Sequence, residues 1–206
     1  ASEGLVYPFA YVLESADKVR HLALLSKIPF KRVESGDLQF KYMGKRESVK
    51  RGVLEVIFGE DGKTWSLFVV HLKSRYTDLK EDPESEIRRT GEARAVRNYI
   101  LKRYENPQLD RFMIVGDFND TRSSRTMKSF LKRGKTEISE AVRCLNAYGQ
   151  GWTYFYEKED VYSRVDFLLV SPGMSSQIKA PGIIFNEPEA QKGSDHRLVM
   201  VTLKGG

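Results

Sequence analysis

Short apolar runs of strand length dominate the sequence and limit the folds that it can adopt. Polar segments that contain Gly or Pro separate the runs. Such runs are typical of buried strands, because they are far shorter than the roughly 18 to 20 apolar residues that a membrane-spanning helix needs. We therefore expect a protein with buried strands and no membrane span. The runs are residues 22–25, 53–58, 67–70, 112–115, 165–170 and 198–203.

Two neighbouring stretches, residues 53–58 and 65–70, indicate an antiparallel hairpin. The segment between them, residues 59–64, contains Asp61-Gly62, a dipeptide that favours tight turns because glycine adopts positive φ at little cost. We predict that the two stretches pair across this turn.

A charged segment between two of the runs has helical periodicity. Its apolar residues recur near helical spacing over residues 84–104 and are Ala93, Val96, Ile100 and Tyr104. This spacing predicts an amphipathic helix that ends before Asn106-Pro107. A shorter helix is predicted over 126–133, ending at Gly134. Strands interleaved with helices predict a mixed-sheet α/β protein, and the absence of an obvious linker predicts a single domain over residues 1–206.

Composition narrows the class of partner and of metal site. The chain has 34 Lys and Arg against 28 Asp and Glu, a formal net charge of +6 and a sequence pI near 9.3. Such a balance attracts polyanions, although the basic residues are scattered and also serve solubility. The single cysteine, Cys144, excludes an intramolecular disulfide and a Cys-rich metal site, and we expect it to be a small buried residue.

One apolar run ends in Gly116, and polar side chains then alternate along the chain. In an extended chain, Asp117 and Asn119 lie on one side and Phe118 faces the core on the other. A carboxylate can orient or deprotonate a water, while an amide can hold a phosphate oxygen. The alternative is a simple turn cap, since Asp and Asn are favoured where strands end.

Two further runs are bordered by histidine. Asp195 and His196 directly precede the last run and supply a hard oxygen ligand and an acid or base active near neutral pH. His71 ends another run and is followed by Lys73 and Ser74, donors of the kind that a phosphate attracts. A histidine at the end of a strand can equally be a surface residue or a partly buried residue at a sheet edge.

Asp166 interrupts a run that is otherwise apolar. A carboxylate in such a place costs free energy unless it is paired. Pairing with a histidine would fix the tautomer of the imidazole and stabilise its protonated form. A salt bridge to Arg164 is the structural alternative.

Taken together, these polar strand ends resemble the endonuclease/exonuclease/phosphatase superfamily, the group similar to deoxyribonuclease I and to exonuclease III-type apurinic endonucleases. The resemblance spans nearly the whole chain and implies a layered α/β sandwich of two mixed β-sheets flanked by helices. The matching stretches are Gly116-Asp117-Phe118-Asn119, Ser194-Asp195-His196, the intervening residues 165–172, His71 with Ser74, residues 24–30 and residues 151–154.

The resemblance also implies a metal-dependent reaction. In it, Asp117 orients or activates the attacking water, Asn119 binds the phosphate, and Asp195 ligates Mg²⁺ or Mn²⁺. His196 contacts the scissile phosphate or transfers a proton and is hydrogen-bonded to Asp166. The role implied for His71 is to bind a phosphate oxygen or to assist the leaving group.

One departure from the family concerns its other metal ligand. Family members begin with an Asn-bearing strand and a Gln-Glu pair whose Glu is a principal ligand, and neither precedes residues 26–30 here. Glu3 and Glu14 are the acidic residues available, and neither lies in a Gln-Glu context. We therefore expect the domain to be N-terminally incomplete, without its first strand or two and half of its metal site.

The expected function is hydrolysis of a phosphoester by in-line attack of water, with charge favouring DNA or RNA as substrate. The loop of residues 121–125, which contains Arg122 and Arg125, is a candidate contact for nucleic acid; the alternative is a solvated helix cap. Phosphatases of lipids or small phosphoesters use the same core. A non-catalytic module that binds nucleic acid or phosphate is a second class, which the missing Glu supports. A pure protein-interaction scaffold has little support.

Overall fold

The computed structural model describes residues 6–60, 62–186 and 193–204. Its helices are α1 (Glu86–Arg103), α2 (Arg125–Leu131) and α3 (Pro172–Ser175), with 3₁₀ turns at Pro83–Ser85 and Glu157–Glu159. Its strands are β1 (Phe9–Leu13), β2 (Leu22–Ser26), β3 (Lys31–Val33), β4 (Gln39–Tyr42), β5 (Lys45–Ser48), β6 (Leu54–Phe58), β7 (Trp65–His71), β8 (Phe112–Asp117), β9 (Lys132–Arg133), β10 (Thr136–Glu137), β11 (Glu140–Ala141), β12 (Cys144–Leu145), β13 (Tyr154–Tyr156), β14 (Val161–Ser163), β15 (Asp166–Val170), β16 (Ile178–Ile184) and β17 (Val199–Leu203).

A six-stranded mixed sheet forms the centre, in the order β11-β15-β8-β7-β6-β3. Strands β6 and β7 pair antiparallel from Leu54 opposite Val69 to Phe58 opposite Trp65, which confirms the predicted hairpin. The turn residue Asp61 lies outside the described residues. Strands β7 and β8 are parallel, and β8 and β15 are antiparallel. The carboxyl ends of β7 and β8 therefore lie beside the start of β15.

Helix α1 connects the parallel strands β7 and β8 and covers one face of the central sheet. Alternate residues of β7, such as Phe68 and Val70, are buried against Val96 and Ile100 of the helix. The predicted amphipathic helix over 84–104 is thus confirmed with slightly tighter ends. Its packing also confirms the period-3.6 interpretation of that segment.

The opposite face of the central sheet packs on a second layer. The three-stranded sheet β12-β16-β17 contributes Cys144 and Ile184, which pack with Met113 and Val170 of the central sheet. The β1–β2 hairpin contributes Leu22, packed among side chains of β6 and β7. The layered α/β sandwich predicted from the resemblance is therefore confirmed. Cys144 is buried, and burial raises the pKa of its thiol, as expected of a structural cysteine.

The second predicted helix is shorter than the sequence indicated. Helix α2 ends at Leu131, and Lys132–Arg133 is extended and pairs with Thr136–Glu137 around Gly134, whose φ is +59°. The helical prediction to Arg133 was wrong because this tight antiparallel turn competes with the helix for the same backbone groups. No helix in the described residues is long and apolar enough to cross a membrane.

Candidate functional site

His71 and Asp117 meet because their strands are parallel and in register. The two residues lie directly opposite each other at the ends of β7 and β8, and His71 Nε2 is 3.3 Å from Asp117 Oδ2. Gly116 precedes Asp117 and has a φ of +133°, and a Cβ at this position would lie 2.0 Å from the carbonyl oxygen of Val70. Glycine is therefore required for the close approach of the two strands. His71 lies on an inner strand of the sheet, not at its edge.

Asn119 reaches Asp117 through a turn. Strand β8 ends at Asp117, and Asn119 has a left-handed φ of +52°. Its side-chain Nδ2 donates to Asp117 Oδ2 at 2.9 Å and to the carbonyl oxygen of Leu72 at 3.0 Å, while its backbone N–H donates to Asp117 Oδ1 at 2.7 Å. Asp117 and Asn119 lie on one side, as predicted, but the backbone at Asn119 is not extended, because the Asp117 carboxylate caps a turn there, which was the alternative considered. Phe118 is fully buried, as predicted.

Asp166 begins β15 and lies opposite Asp117 across the antiparallel pair. Thr153 Oγ1 accepts from the backbone N–H groups of Asp166 and Val165, both at 3.2 Å, and so fixes the start of the strand. Arg164 donates to backbone carbonyl oxygens, including that of Val142 at 3.0 Å, so the alternative of a salt bridge to the Asp166 carboxylate is not observed. The carboxylate is left for another partner.

That partner is His196. Its Nδ1 lies 2.8 Å from Asp166 Oδ2, and its ring packs on Tyr154 with centroids 4.8 Å apart. A bridge between the backbones of His196 and Tyr154 ties the loop before β17 to β13. The hydrogen bond to Asp166 is the main cause that raises the pKa of His196, and it outweighs partial burial, which lowers it. The imidazole therefore keeps its proton to higher pH than an ordinary histidine does.

Three of these side chains form a group that can hold a cation. Asp117, Asp166 and His196 each present one ligand atom, and these atoms lie within 4.8 Å of one another. Carboxylate oxygens suit Mg²⁺ and Mn²⁺, so the donor set fits the expected metals. Asp195 is exposed and lies outside this group, although its charge contributes to the raised pKa of His196. Its role as a ligand stays a prediction.

Of the two acidic residues considered near the N-terminus, Glu14 lies in the described part of the chain and is outside this group. Glu3 lies outside the described residues, and Glu14 is exposed directly after β1. Sequence reasoning missed two charged residues that border the site, Arg51 and Glu92, both of which are buried. Glu92 had a detectable signal, because it is next to Ala93 on the apolar side of a predicted amphipathic helix.

The sequence matches a description of the endonuclease/exonuclease/phosphatase family over residues 19–196. The chain belongs to this family. A search of curated protein sequences finds no match.

Solved structures share the fold at low sequence identity. An endonuclease/exonuclease/phosphatase family protein from Leptotrichia buccalis is 13% identical, with a TM-score of 0.63 over 96% of this chain and 71% of that one. The mannosyl-6-phosphatase Bt3783 of Bacteroides thetaiotaomicron is 18% identical, with a TM-score of 0.58 over 95% and 77%. A beta toxin variant from Staphylococcus aureus with bound magnesium ions is 16% identical, with a TM-score of 0.54 over 74% and 58%.

These similarities establish the fold and leave the reaction open. The match covers 57% and 58% of the chains in the two beta toxin structures, which is less than two thirds of their length. The magnesium belongs to the beta toxin, and the phosphatase activity belongs to the Bacteroides protein.

Proposed function

We propose that this chain carries the greater part of a divalent-metal-dependent phosphodiesterase that cleaves nucleic acid by in-line attack of water. The observation that carries the proposal is the convergence of Asp117, Asp166 and His196, whose ligand atoms lie within 4.8 Å of one another. Family membership supports hydrolysis of a phosphoester as the general class. That the domain is N-terminally incomplete also stays a prediction.

The half of the site around Asp117 supplies groups for the water and the phosphate. Asp117 orients or deprotonates the attacking water, and Asn119, whose amide already lies against it, binds a phosphate oxygen. His71, 3.3 Å from the same carboxylate, binds a second phosphate oxygen or assists the leaving group. The protein forms no covalent bond to the substrate in this mechanism, so most of its contribution to catalysis is the positioning of these groups.

The other half supplies a proton. The imidazole of His196, held through Nδ1 by Asp166, has its Nε2 available to donate to a phosphate oxygen or to a leaving group. Its raised pKa favours the protonated form that such a donor needs. Asp166 fixes the ring and stabilises its positive charge.

A divalent cation completes the proposal. Asp117 and Asp166 would hold it, together with Asp195 as the resemblance implies. When bound, Mg²⁺ or Mn²⁺ would neutralise charge on the phosphate oxygens. Magnesium in the similar beta toxin supports this choice of metal.

Exposed basic residues that follow Asn119 in the sequence support a polyanionic substrate. Arg122 and Arg125 follow Asn119 closely and are exposed, as are Lys128, Lys132 and Arg133. Ser124 caps α2 by accepting from the N–H of Met127, so the predicted helix cap is present, and Arg122 and Arg125 are exposed beside it. Exposed cations of this kind favour a substrate with several phosphates, such as DNA or RNA, over a small substrate with one.

The test is an assay of the purified chain with Mg²⁺ or Mn²⁺ on plasmid DNA, RNA, bis(p-nitrophenyl) phosphate and p-nitrophenyl phosphate. We expect metal-dependent cleavage of DNA or RNA and of the diester, abolished by EDTA. Asp117→Asn should lower turnover by several orders of magnitude without unfolding the chain, because the carboxylate is only partly buried.

The competing functions give different results in the same assay. Turnover of the monoester alone would favour a phosphatase, the activity named for the similar Bacteroides protein. Salt-dependent binding of DNA or RNA with no product would favour a binding module. Unchanged turnover in Asp117→Asn would refute the assignment of the site.

A further inference from the structure

Buried charged side chains hold the backbone directly after His71. Arg51, which precedes β6, is 8% exposed. Its Nη1 donates to the carbonyl oxygens of His71 at 3.2 Å and of Leu72 at 2.7 Å. The guanidinium therefore fixes two consecutive peptide groups at the end of β7.

Helix α1 contributes two more such contacts on the next residue. The carboxylate of Glu92, 2% exposed, accepts from the backbone N–H of Lys73 at 2.7 Å. Arg89, 1% exposed, donates to the carbonyl oxygen of Lys73 at 3.3 Å and to Asp120 Oδ2 at 3.0 Å. Charged groups from separate elements thus converge on a short piece of main chain.

Burial of these charges is costly for the fold. Arg51 and Glu92 each lose most of their hydration, and burial is the main cause that raises the pKa of Glu92. Packed apolar side chains of similar volume would stabilise the same region at least as well. These buried charges are therefore better explained by precise placement of the main chain that they contact, directly after His71, than by stability.

The carbonyl oxygen of Leu72 links this arrangement to the site. It accepts from Arg51 Nη1 on one side and from Asn119 Nδ2 on the other, at 2.7 and 3.0 Å. The N–H of Leu72 donates to the carbonyl oxygen of Asp117 at 3.0 Å. A shift of Leu72 would thus displace His71, Asn119 and Asp117 relative to one another.

Asp17 in turn orients Arg51. Its Oδ2 lies 3.3 Å from Arg51 Nε, and its Oδ1 accepts from the backbone N–H groups of Val19 and Arg20 at 3.0 and 3.1 Å. The guanidinium is therefore fixed on both its Nε and its Nη1 sides.

We propose that Arg51 and Glu92 are positioning residues, which hold the main chain at Leu72 and Lys73 so that His71 and Asn119 stay against Asp117. This inference rests on the proposed function for its kinetic consequence. Neither residue touches the reacting atoms, so their effect is on placement, where a displacement of about 1 Å can cost roughly 10²-fold in rate.

The test compares Arg51→Met with the control Glu55→Leu. Glu55 is equally buried, and its carboxylate binds Tyr99 and Arg103 at 2.6 and 3.0 Å, away from the chain after His71. Both variants remove one buried charge. We expect Arg51→Met to lower kcat by about 10 to 10²-fold with little change in KM, and Arg51→Lys to recover part of the loss. Glu55→Leu should leave kcat unchanged at temperatures where both variants are folded.

A second readout needs no turnover. The chain has three histidines, so the imidazole NMR signals of His21, His71 and His196 can be resolved one by one. Arg51→Met should shift or broaden the signal of His71 and leave that of exposed His21 unchanged. Equal effects of Arg51→Met and Glu55→Leu on kcat and on the His71 signal would overturn the proposal.

The two proposals fail in different ways. A folded wild-type chain without turnover on any phosphoester would refute the proposed function, and the His71 signal would still decide the positioning role. If Arg51→Met does not fold, Glu92→Gln and Glu92→Leu replace it, because glutamine can still accept from the N–H of Lys73 and leucine cannot. Equal His71 signals in those two variants would then overturn the inference.

Discussion

The two halves of the candidate site are built in different ways. His71 and Asp117 come from adjacent parallel strands of one sheet and lie directly opposite each other. Asp166 belongs to the same sheet, but His196 precedes a strand of the other sheet and reaches Asp166 through one hydrogen bond of 2.8 Å. Strand register sets the first half, and the packing of two layers sets the second. Changes that alter the spacing of the strands in the first half should therefore affect the fold, while side-chain changes in the second should affect mainly chemistry.

The largest expected effect tests the second half. His196→Ala should lower kcat by about 10²- to 10⁴-fold, the usual contribution of a positioned acid or base, because it removes the proton donor. The midpoint of thermal unfolding should change little, since the side chain is only partly buried. His21→Ala, at an exposed position, is the control and should keep full turnover. A large loss of stability in His196→Ala would contradict the expectation that changes in the second half of the site affect mainly chemistry.

A test of the first half uses a glycine. Gly116→Ala should destabilise the fold by about 3 kcal/mol or more, because the added Cβ would lie 2.0 Å from the carbonyl oxygen of Val70 and φ is +133°. Gly134→Ala is the matched control, with φ of +59° and nothing within 4 Å of the Cβ. It should cost only about 1 kcal/mol. Denaturant unfolding measures both, and equal losses would show that strand spacing at Gly116 is not critical.

A smaller change in the second half of the site, Asp166→Asn, keeps the shape of the side chain and removes its negative charge. Asp166→Asn should lower kcat by roughly 10- to 10²-fold, as is usual when a group that orients a functional histidine is replaced. The pKa of His196, followed by NMR titration, should fall, because the hydrogen bond to Asp166 is the main cause that raises it. An unchanged pKa would mean that the pair does not control the imidazole.

The smallest effect concerns the support of the first half. Burial raises the pKa of Glu92 above its ordinary value of 4.5, so the unfolded chain releases this proton at lower pH than the folded one. Its contribution to stability is therefore present below pH 4.5 and is lost as pH rises through the folded pKa. Glu92→Gln should remove this loss of stability with rising pH. The variant should be at least as stable as wild type at pH 7. Unfolding measured from pH 4 to pH 8 tests this, and a variant that is less stable at pH 7 would contradict it.

Strands β6, β7, β8 and β15 of the central sheet could be predicted from the sequence, because they coincide with largely apolar runs, and α1 has a clear helical period. Parts of the second layer, which consists of the sheet β12-β16-β17 and the β1–β2 hairpin, were harder to predict. Strand β16 contains Pro181 and Gly182, which break the apolar pattern, and β1 is short and largely exposed. Helix α2 was overextended because a local turn at Gly134 decides its end.

The site was predictable to the extent that strand ends meet at one edge of a sheet. This rule, together with the motif order, predicted that His71, Asp117, Asp166 and His196 lie close together. For Asp117 and Asn119 the sequence left an extended strand and a turn cap as alternatives, because Asp and Asn are compatible with both. Arg51 was missed because its contacts with the site are to main-chain carbonyl oxygens, which no side chain in the sequence indicates.

The shared carbonyl oxygen of Leu72 has a consequence for variation and engineering. It belongs to the main chain, so exchange of Leu72 for another aliphatic residue removes none of the hydrogen bonds that meet there. A saturation library should consequently tolerate isoleucine or methionine at position 72 while selecting strictly at position 51. Variation at position 72 would then make this shared acceptor look unimportant, although two donors of the site depend on it.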